Sequence, residues 1–229
     1  MTVIEKTLTK EDGLWWFNWL YRQVTIAIQE ECTKEAWKSP RWVVLLDVEF
    51  GKLYFEAIAA WERDPKTCPY AWRPLFSTRS ARYVAPVQYA LAGLCAHINR
   101  DLPVAAQRAA QKAGVTLRRR SPEEDDYNRI NTILYEVELR CLQELTSGWI
   151  REVSTRVDPY DRKLAIAIVR WMRDLAWSHA ETYAALFKKE QTSAERFIIR
   201  LDRITEVLAK GMLLPTTWRK ATILPRRRK

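Results

Sequence analysis

Apolar residues recur every three or four positions along most of this chain, and strict alternation of apolar and polar residues is nearly absent. A period of about 3.6 is typical of amphipathic α-helices. The pattern therefore predicts an all-α protein, folded as a single bundle of about six to seven helices around a buried central one. We expect long helices near residues 12–37, 40–63, 86–96, 102–113, 121–156, 158–188 and 193–210, and a short one within 73–83.

The segment Val87–Ala96 is apolar nearly all round, which is typical of a helix buried at the centre of a domain. It leads directly into His97, one of only two histidines in the chain. His97 and Asp101 are four residues apart, so they lie side by side if the helix continues. Pro103 favours a second interpretation, in which the helix breaks and Asp101 is the N-cap of a new helix over residues 102–113. Both interpretations are open at this point.

Polar residues interrupt apolar helix stripes elsewhere: Asn18, Tyr21 and Thr25 in the first helix, Asp47 in the second and Arg173 in the helix predicted at 158–188. Polar groups removed from water need hydrogen-bonding partners, so these positions predict either a buried network or a cavity between helices. For Arg173 we expect a carboxylate partner, with Asp47 and Asp101 as the candidates.

The 229 residues, 48% of them hydrophobic, suffice for one substantial core. We expect an N-terminal arm (1–11), a helical domain (12–211) and a basic C-terminal tail (212–229). Six positive charges lie in residues 219–229 without an acidic residue, so the net charge of +10 leaves the body near balance. Nucleic-acid binding is therefore not predicted. The absence of a long apolar run predicts no membrane span, and a cytoplasmic protein is expected.

Several short blocks carry a resemblance to a known family. The blocks are Asp12-Gly13-Leu14 with Phe17-Asn18 and Leu20-Tyr21, Leu46-Asp47 with Phe50 and Tyr54-Phe55, Ala-His-Ile-Asn-Arg-Asp-Leu-Pro at 96–103, and Ala176-Trp177. Over residues 12–185 the chain resembles an uncharacterised bacterial and fungal family, catalogued only as a domain of unknown function. The resemblance implies a helical domain whose inward-facing polar residues form one constellation, and it implies no particular chemistry. The family usually has asparagine where this chain has His179, which speaks against a general role for His179.

The residues favour an enzyme that acts on a small molecule, of the secondary-metabolite or lipid-like kind, in a pocket between helices. In this hypothesis His97 is the acid–base group, and Asp101 or Asp47 orients its second nitrogen. Substrate contacts are expected from Asn18, Tyr21, Arg100 and Arg173. The sequence assigns no cofactor and no oligomeric state.

Two alternatives remain. The first is a metal-dependent hydrolase with His97, Asp101 and Asp47 as ligands. The His-x-x-x-Asp spacing before a proline resembles part of the zinc-dependent phospholipase C and single-strand nuclease family, but those enzymes need several more histidines than two. The second alternative is a non-catalytic interaction module, in which the basic tail binds an acidic partner.

Overall fold

The structure is a computed structural model that describes residues 1–32, 37–152 and 159–215. Over these residues all regular secondary structure is helical, and the helices pack together in a bundle, which confirms the predicted all-α class. A 3-10 turn at Tyr70–Trp72 precedes the short helix Arg73–Thr78, and a π-helical turn at His97–Asp101 joins the helix Pro86–Ala96 to the helix Leu102–Ala113. The helices are α1 (Thr2–Thr7), α2 (Gly13–Cys32), α3 (Pro40–Arg63), α4 (Arg73–Thr78), α5 (Pro86–Ala96), α6 (Leu102–Ala113), α7 (Pro122–Glu152), α8 (Pro159–Lys189) and α9 (Gln191–Met212).

Most helix ends lie where turn signals placed them. α3 and α6 have the predicted bounds, and Gly114 ends α6 in a left-handed conformation with φ of 76°. The first long helix was predicted to reach Trp37, which is wrong, because Trp37 is not helical. Residues 33–36, 153–158 and the tail from 216 onward lie outside the described ranges, so the predictions that fall on them stay predictions.

The central helix of the bundle is α5, as its apolar sequence predicted. Most of its residues are buried, and it packs against α2 and α9. Gly93 lets α2 approach closely: a Cβ atom built at this position would lie 2.3 Å from the ring of Phe17. The glycine therefore serves helix packing just before the chain reaches His97.

The π turn keeps α5 and α6 continuous through Pro103. Leu102 has helical angles (φ −61°, ψ −44°) and donates its N–H to the carbonyl of His97, five residues earlier. The predicted break before the proline is therefore wrong. In a regular α-helix the Pro103 ring would press on the carbonyl four residues earlier, and a widened turn is one way to accommodate it. Asp101 makes no side-chain capping hydrogen bond, so its interpretation as an N-cap is also wrong.

Carboxylates fasten two of the connections between helices. Asp126 of α7 accepts hydrogen bonds from the backbone N–H groups of Lys38 (3.1 Å) and Ser39 (2.7 Å), where the chain enters α3. Asp202 of α9 accepts from the N–H groups of Tyr70 and Ala71, each at 2.9 Å. This second contact holds the 3-10 turn against α9. The turn places Trp72 in the interior of the bundle.

Candidate functional site

The site is centred on a buried histidine–aspartate pair within the π turn. His97 Nδ1 lies 3.0 Å from Asp101 Oδ2, and both side chains are at most 1% exposed. The predicted side-by-side placement of these two residues is therefore confirmed. Single π turns inside α-helices occur frequently at functional sites.

Three donors surround the carboxylate of Asp101. Trp72 Nε1 donates to Oδ2 at 2.9 Å, the same oxygen that lies against His97, and Arg100 Nη1 donates to Oδ1 at 2.7 Å. Burial acts to raise the pKa of Asp101, but the charge of Arg100 and the hydrogen bonds of His97 and Arg100 outweigh it. The pKa of Asp101 therefore lies below its ordinary value, and the group is an ionised carboxylate. Such a carboxylate can only accept, so Nδ1 of His97 carries the proton.

The other nitrogen of His97 is available for chemistry. Burial lowers the pKa of His97, and the opposing influence of Asp101 does not restore it, so the imidazole is neutral at neutral pH. Its Nε2 is buried and has no hydrogen-bonding partner among the residues described. The ring lies flat on Phe50, with centroids 3.5 Å apart and planes 7° apart, and meets Tyr21 edge-on at 4.6 Å. Nε2 is thus a lone-pair acceptor on a ring held rigidly by aromatic contacts.

A cavity of about 70 Å³ lies beside His97, between α2, α3, α5 and α7. This is room for on the order of five water-sized volumes. Its lining is mainly aliphatic, including Val24, Ile28, Leu46, Leu94, Ile98 and Leu134. A few polar side chains complete it, among them Tyr21, Asp47, His97, Asn131 and Arg173. An apolar lining with a few convergent polar groups is the usual form of a small-molecule site.

The structure brings some of the predicted substrate-contacting residues to this cavity and places others elsewhere. Tyr21 and Arg173 line it, whereas Asn18 and Arg100 do not. Asn18 Nδ2 donates to the Met1 carbonyl at 3.1 Å, and its Oδ1 accepts from Tyr54 at 3.3 Å. Arg100 lies between Asp101 and Asp202, with its Nε 3.9 Å from the latter. Both residues therefore support the walls of the site from outside the cavity.

The partner of Arg173 differs from the prediction. Arg173 pairs through two hydrogen bonds with Glu138 of α7, one of them Nη1 to Oε2 at 3.0 Å, and not with Asp47 or Asp101. Both side chains of this ion pair are buried. Glu138 follows Leu134 by four residues and precedes Cys141 by three, so it shares the buried face of α7. That spacing was the available sequence signal, and sequence reasoning missed it.

Asp47 lies half-buried at the edge of the cavity, on the α3 face that faces α2. Burial raises the pKa of its carboxyl group. Over residues 1–32, 37–152 and 159–215, no hydrogen bond or ion pair of this carboxyl is found.

His97, Asp101 and Asp47 do not form the metal site of the first alternative. Within the part of the chain that the structure describes, no three His, Cys, Asp or Glu side chains lie close enough together to hold a metal ion. The two oxygens of Asp101 are already hydrogen-bonded to Trp72, His97 and Arg100. His97, Asp101 and Asp47 therefore do not form a shared ligand set.

Comparison with known proteins gives a family match. The model of a family described as "Family of unknown function (DUF5995)" matches residues 1–215. This span contains every helix and every site residue described above. No curated protein and no solved structure matches the chain. Among the helices that the structure describes, none is long and apolar enough to cross a membrane.

Proposed function

The chain belongs to the family of unknown function DUF5995, and we propose, from the site itself, that it is an enzyme with His97 as its acid–base group. Its substrate is a small, largely apolar molecule. One observation carries the proposal: the buried Nε2 of His97 has no partner, while Nδ1 of the same ring is fixed by an ionised carboxylate. A buried polar atom without a partner is costly, and a ligand that donates a hydrogen bond removes that cost.

The arrangement supports general-base chemistry at Nε2. A neutral imidazole accepts a proton from a donor in the cavity, and the resulting imidazolium then donates from both nitrogens. Asp101 would stabilise that cation through Nδ1 and keep the ring in one orientation, which is the role of the carboxylate in catalytic histidine–aspartate pairs. The aliphatic lining favours an apolar substrate body over a strongly hydrated one.

Nitrogen NMR of the imidazole rings tests the binding half of the proposal. The chain has only two histidines, so the spectrum of a His179→Asn variant assigns the resonances of both imidazole rings. We expect Nδ1 of His97 to be protonated and Nε2 to be unprotonated. The titrations use two small neutral probes that carry a hydroxyl group, n-butanol and phenol. Each should shift the Nε2 resonance of His97 and leave the resonances of His179 unchanged. A His97 resonance that responds to neither neutral probe contradicts a site for a neutral ligand at this ring.

Turnover tests the catalytic half. The wild-type protein and a His97→Gln variant are incubated with an extract of cellular small molecules, and consumption is followed by mass spectrometry. Glutamine retains a side-chain donor for Asp101 but cannot exchange a proton near neutral pH. We expect compounds that the wild type consumes to persist with the folded variant. Equal consumption by both proteins would rule out His97 as the acid–base group.

The interaction-module alternative depended on the basic tail. Residues 219–229 lie outside the described ranges, so this alternative stays a prediction. It is separable from the enzyme proposal, since removing residues 217–229 should leave the His97 titration unchanged.

A further inference from the structure

The cavity shares a wall with an open groove between α2 and α3, and we propose that its ligand enters there and carries a primary amine whose ammonium group pairs with Asp47. This inference rests on the proposed function, because it names the class of ligand for the same cavity. It assigns to Asp47 a role in binding the ligand's charge, separate from the chemistry at His97.

Three residues form the shared wall. Tyr21, Thr25 and Asp47 line both the inner cavity and the outer groove. Tyr21 spans the wall: its ring centroid lies 4.6 Å from that of His97, and a Cβ atom at Gly51 would lie 3.5 Å from its hydroxyl oxygen. Because Gly51 lines the groove, the Tyr21 side chain reaches from the histidine to the groove floor. The wall between solvent and His97 is therefore about one side chain thick here.

The charges around the cavity leave Asp47 as the group that lacks a counter-ion. Arg173 is neutralised by its two hydrogen bonds to Glu138, and His97 is neutral. The groove is also lined by Lys52, which lies 3.7 Å from Glu56, and by Met1 with its ammonium group, and no ion pair joins either of them to Asp47 in the described part of the chain. A carboxylate at an apolar wall loses hydration, and a cation that arrives with the ligand compensates that loss.

The size and lining of the cavity define the rest of the ligand. The space of about 70 Å³ accepts a short apolar body or the end of a longer one, in contact with aliphatic residues and Phe50. An ammonium group at the mouth and a carbon body inside match this distribution of charge and apolar surface. We therefore infer an alkylamine or an amine with a similarly slender apolar part.

A second depression, between α7 and α8, meets the cavity at Asn131. Its own charged residues include Glu138, Arg170 and Asp174, so it presents both signs to a ligand. The shared residue is a neutral amide, which has no charge to select an ion. The α2–α3 side is therefore the one whose shared wall discriminates between an amine, an alcohol and a carboxylate.

Three probes matched in chain length test the inference: n-butylamine, n-butanol and butyrate, each titrated at neutral pH while Nε2 of His97 is followed by NMR. We expect the wild type to bind n-butylamine at least tenfold more tightly than n-butanol, and butyrate most weakly. Asp47→Asn, which keeps the shape and removes the charge, should reduce the preference for the amine over the alcohol to within about twofold. Glu56→Gln, a matched carboxylate on the same helix and in the same groove, should leave the preference unchanged.

The outcomes separate the inference from the proposed function. If n-butanol shifts His97 but n-butylamine binds no more tightly, the amine inference is overturned and the site at His97 stands. The same conclusion follows if Asp47→Asn retains the full preference. If none of the three probes nor phenol affects His97, the cavity is not a ligand site, and both proposals fall. If the Asp47→Asn variant folds poorly, the relative affinities of the wild type for n-butylamine, n-butanol and butyrate still decide whether the amine inference holds.

Discussion

Trp72 donates its indole N–H to the same carboxylate oxygen of Asp101 that lies 3.0 Å from Nδ1 of His97. The donor comes from a 3-10 turn that α9 holds in place through Asp202. The orientation of the aspartate, and through it the tautomer of the histidine, therefore depends on parts of the chain remote from the π turn.

Replacing this indole tests its role. Trp72→Phe removes the donor to an ionised, buried carboxylate, and hydrogen bonds to charged groups contribute about 1.5–3 kcal/mol. Trp42→Phe is the matched control, since Trp42 is equally buried but donates to the neutral carbonyl of Ala106 at 3.4 Å. Both variants lose the same ring volume. We expect urea denaturation to show the larger loss of unfolding free energy for Trp72→Phe, and equal losses would contradict the assigned role.

The stability of the protein should depend on pH through His97. Burial lowers the pKa of His97 below its ordinary value of about 6.5, so on acidification the unfolded chain binds a proton before the native imidazole does. The unfolding free energy should therefore fall as pH drops below about 6.5, by at most about 1.4 kcal/mol per pH unit for one group. This contribution is complete above pH 6.5 and is lost on the acid side.

His97→Gln should remove that slope, measured as urea unfolding free energy between pH 5.5 and 7.5. Burial also lowers the pKa of His179, so His179→Gln should remove a contribution of the same sign. The variant that lacks both histidines should show the flattest profile. A wild-type protein that gains stability on acidification over this range would refute the assignment of a neutral, buried imidazole.

Two helical glycines should respond to alanine with opposite signs. At Gly93 the new methyl group would lie 2.3 Å from the Phe17 ring, so α2 and α5 must separate, and overpacking of this kind costs about 1–3 kcal/mol. At Gly51 the methyl group would lie 3.5 Å from the Tyr21 hydroxyl, an ordinary contact. Alanine there should stabilise the helix by up to about 1 kcal/mol. Thermal denaturation of the pair checks both signs, and a stabilising Gly93→Ala would contradict the close approach.

The buried ion pair of Glu138 and Arg173 should matter far more than an exposed one. Glu138→Gln leaves a buried guanidinium without its counter-charge, and breaking such a pair typically costs about 3–5 kcal/mol. Lys52→Gln interrupts the exposed pair with Glu56, where about 0.3–0.5 kcal/mol is typical. Urea denaturation of the two variants should show this difference. Comparable losses would mean that Arg173 finds another partner in the variant.

Features that depend on spacing within one helix could be predicted from the sequence. The helical class, the buried α5 and the adjacency of His97 and Asp101 all follow from periodicity along a single element. Features that depend on which helices are neighbours could not. Glu49 of α3 is buried and pairs with Lys112 of α6, and no pattern within α3 indicates that partner. Trp72 lies in a segment that its prolines marked as a loop, and nothing in that segment indicates the hydrogen bond to Asp101.

The π turn has a consequence for comparisons among relatives, because such a turn amounts to one extra residue in a helix. Removing any one of residues 98–100 would restore a regular helix and leave α6 in nearly the same orientation to α5, because the widened turn is what absorbs the extra residue. Histidine and aspartate would both remain in such a sequence, but three positions apart and without the widened turn that pairs them in this structure. The length of this segment, more than the presence of the two residues, should therefore distinguish the relatives that share the site from those that share only the helices.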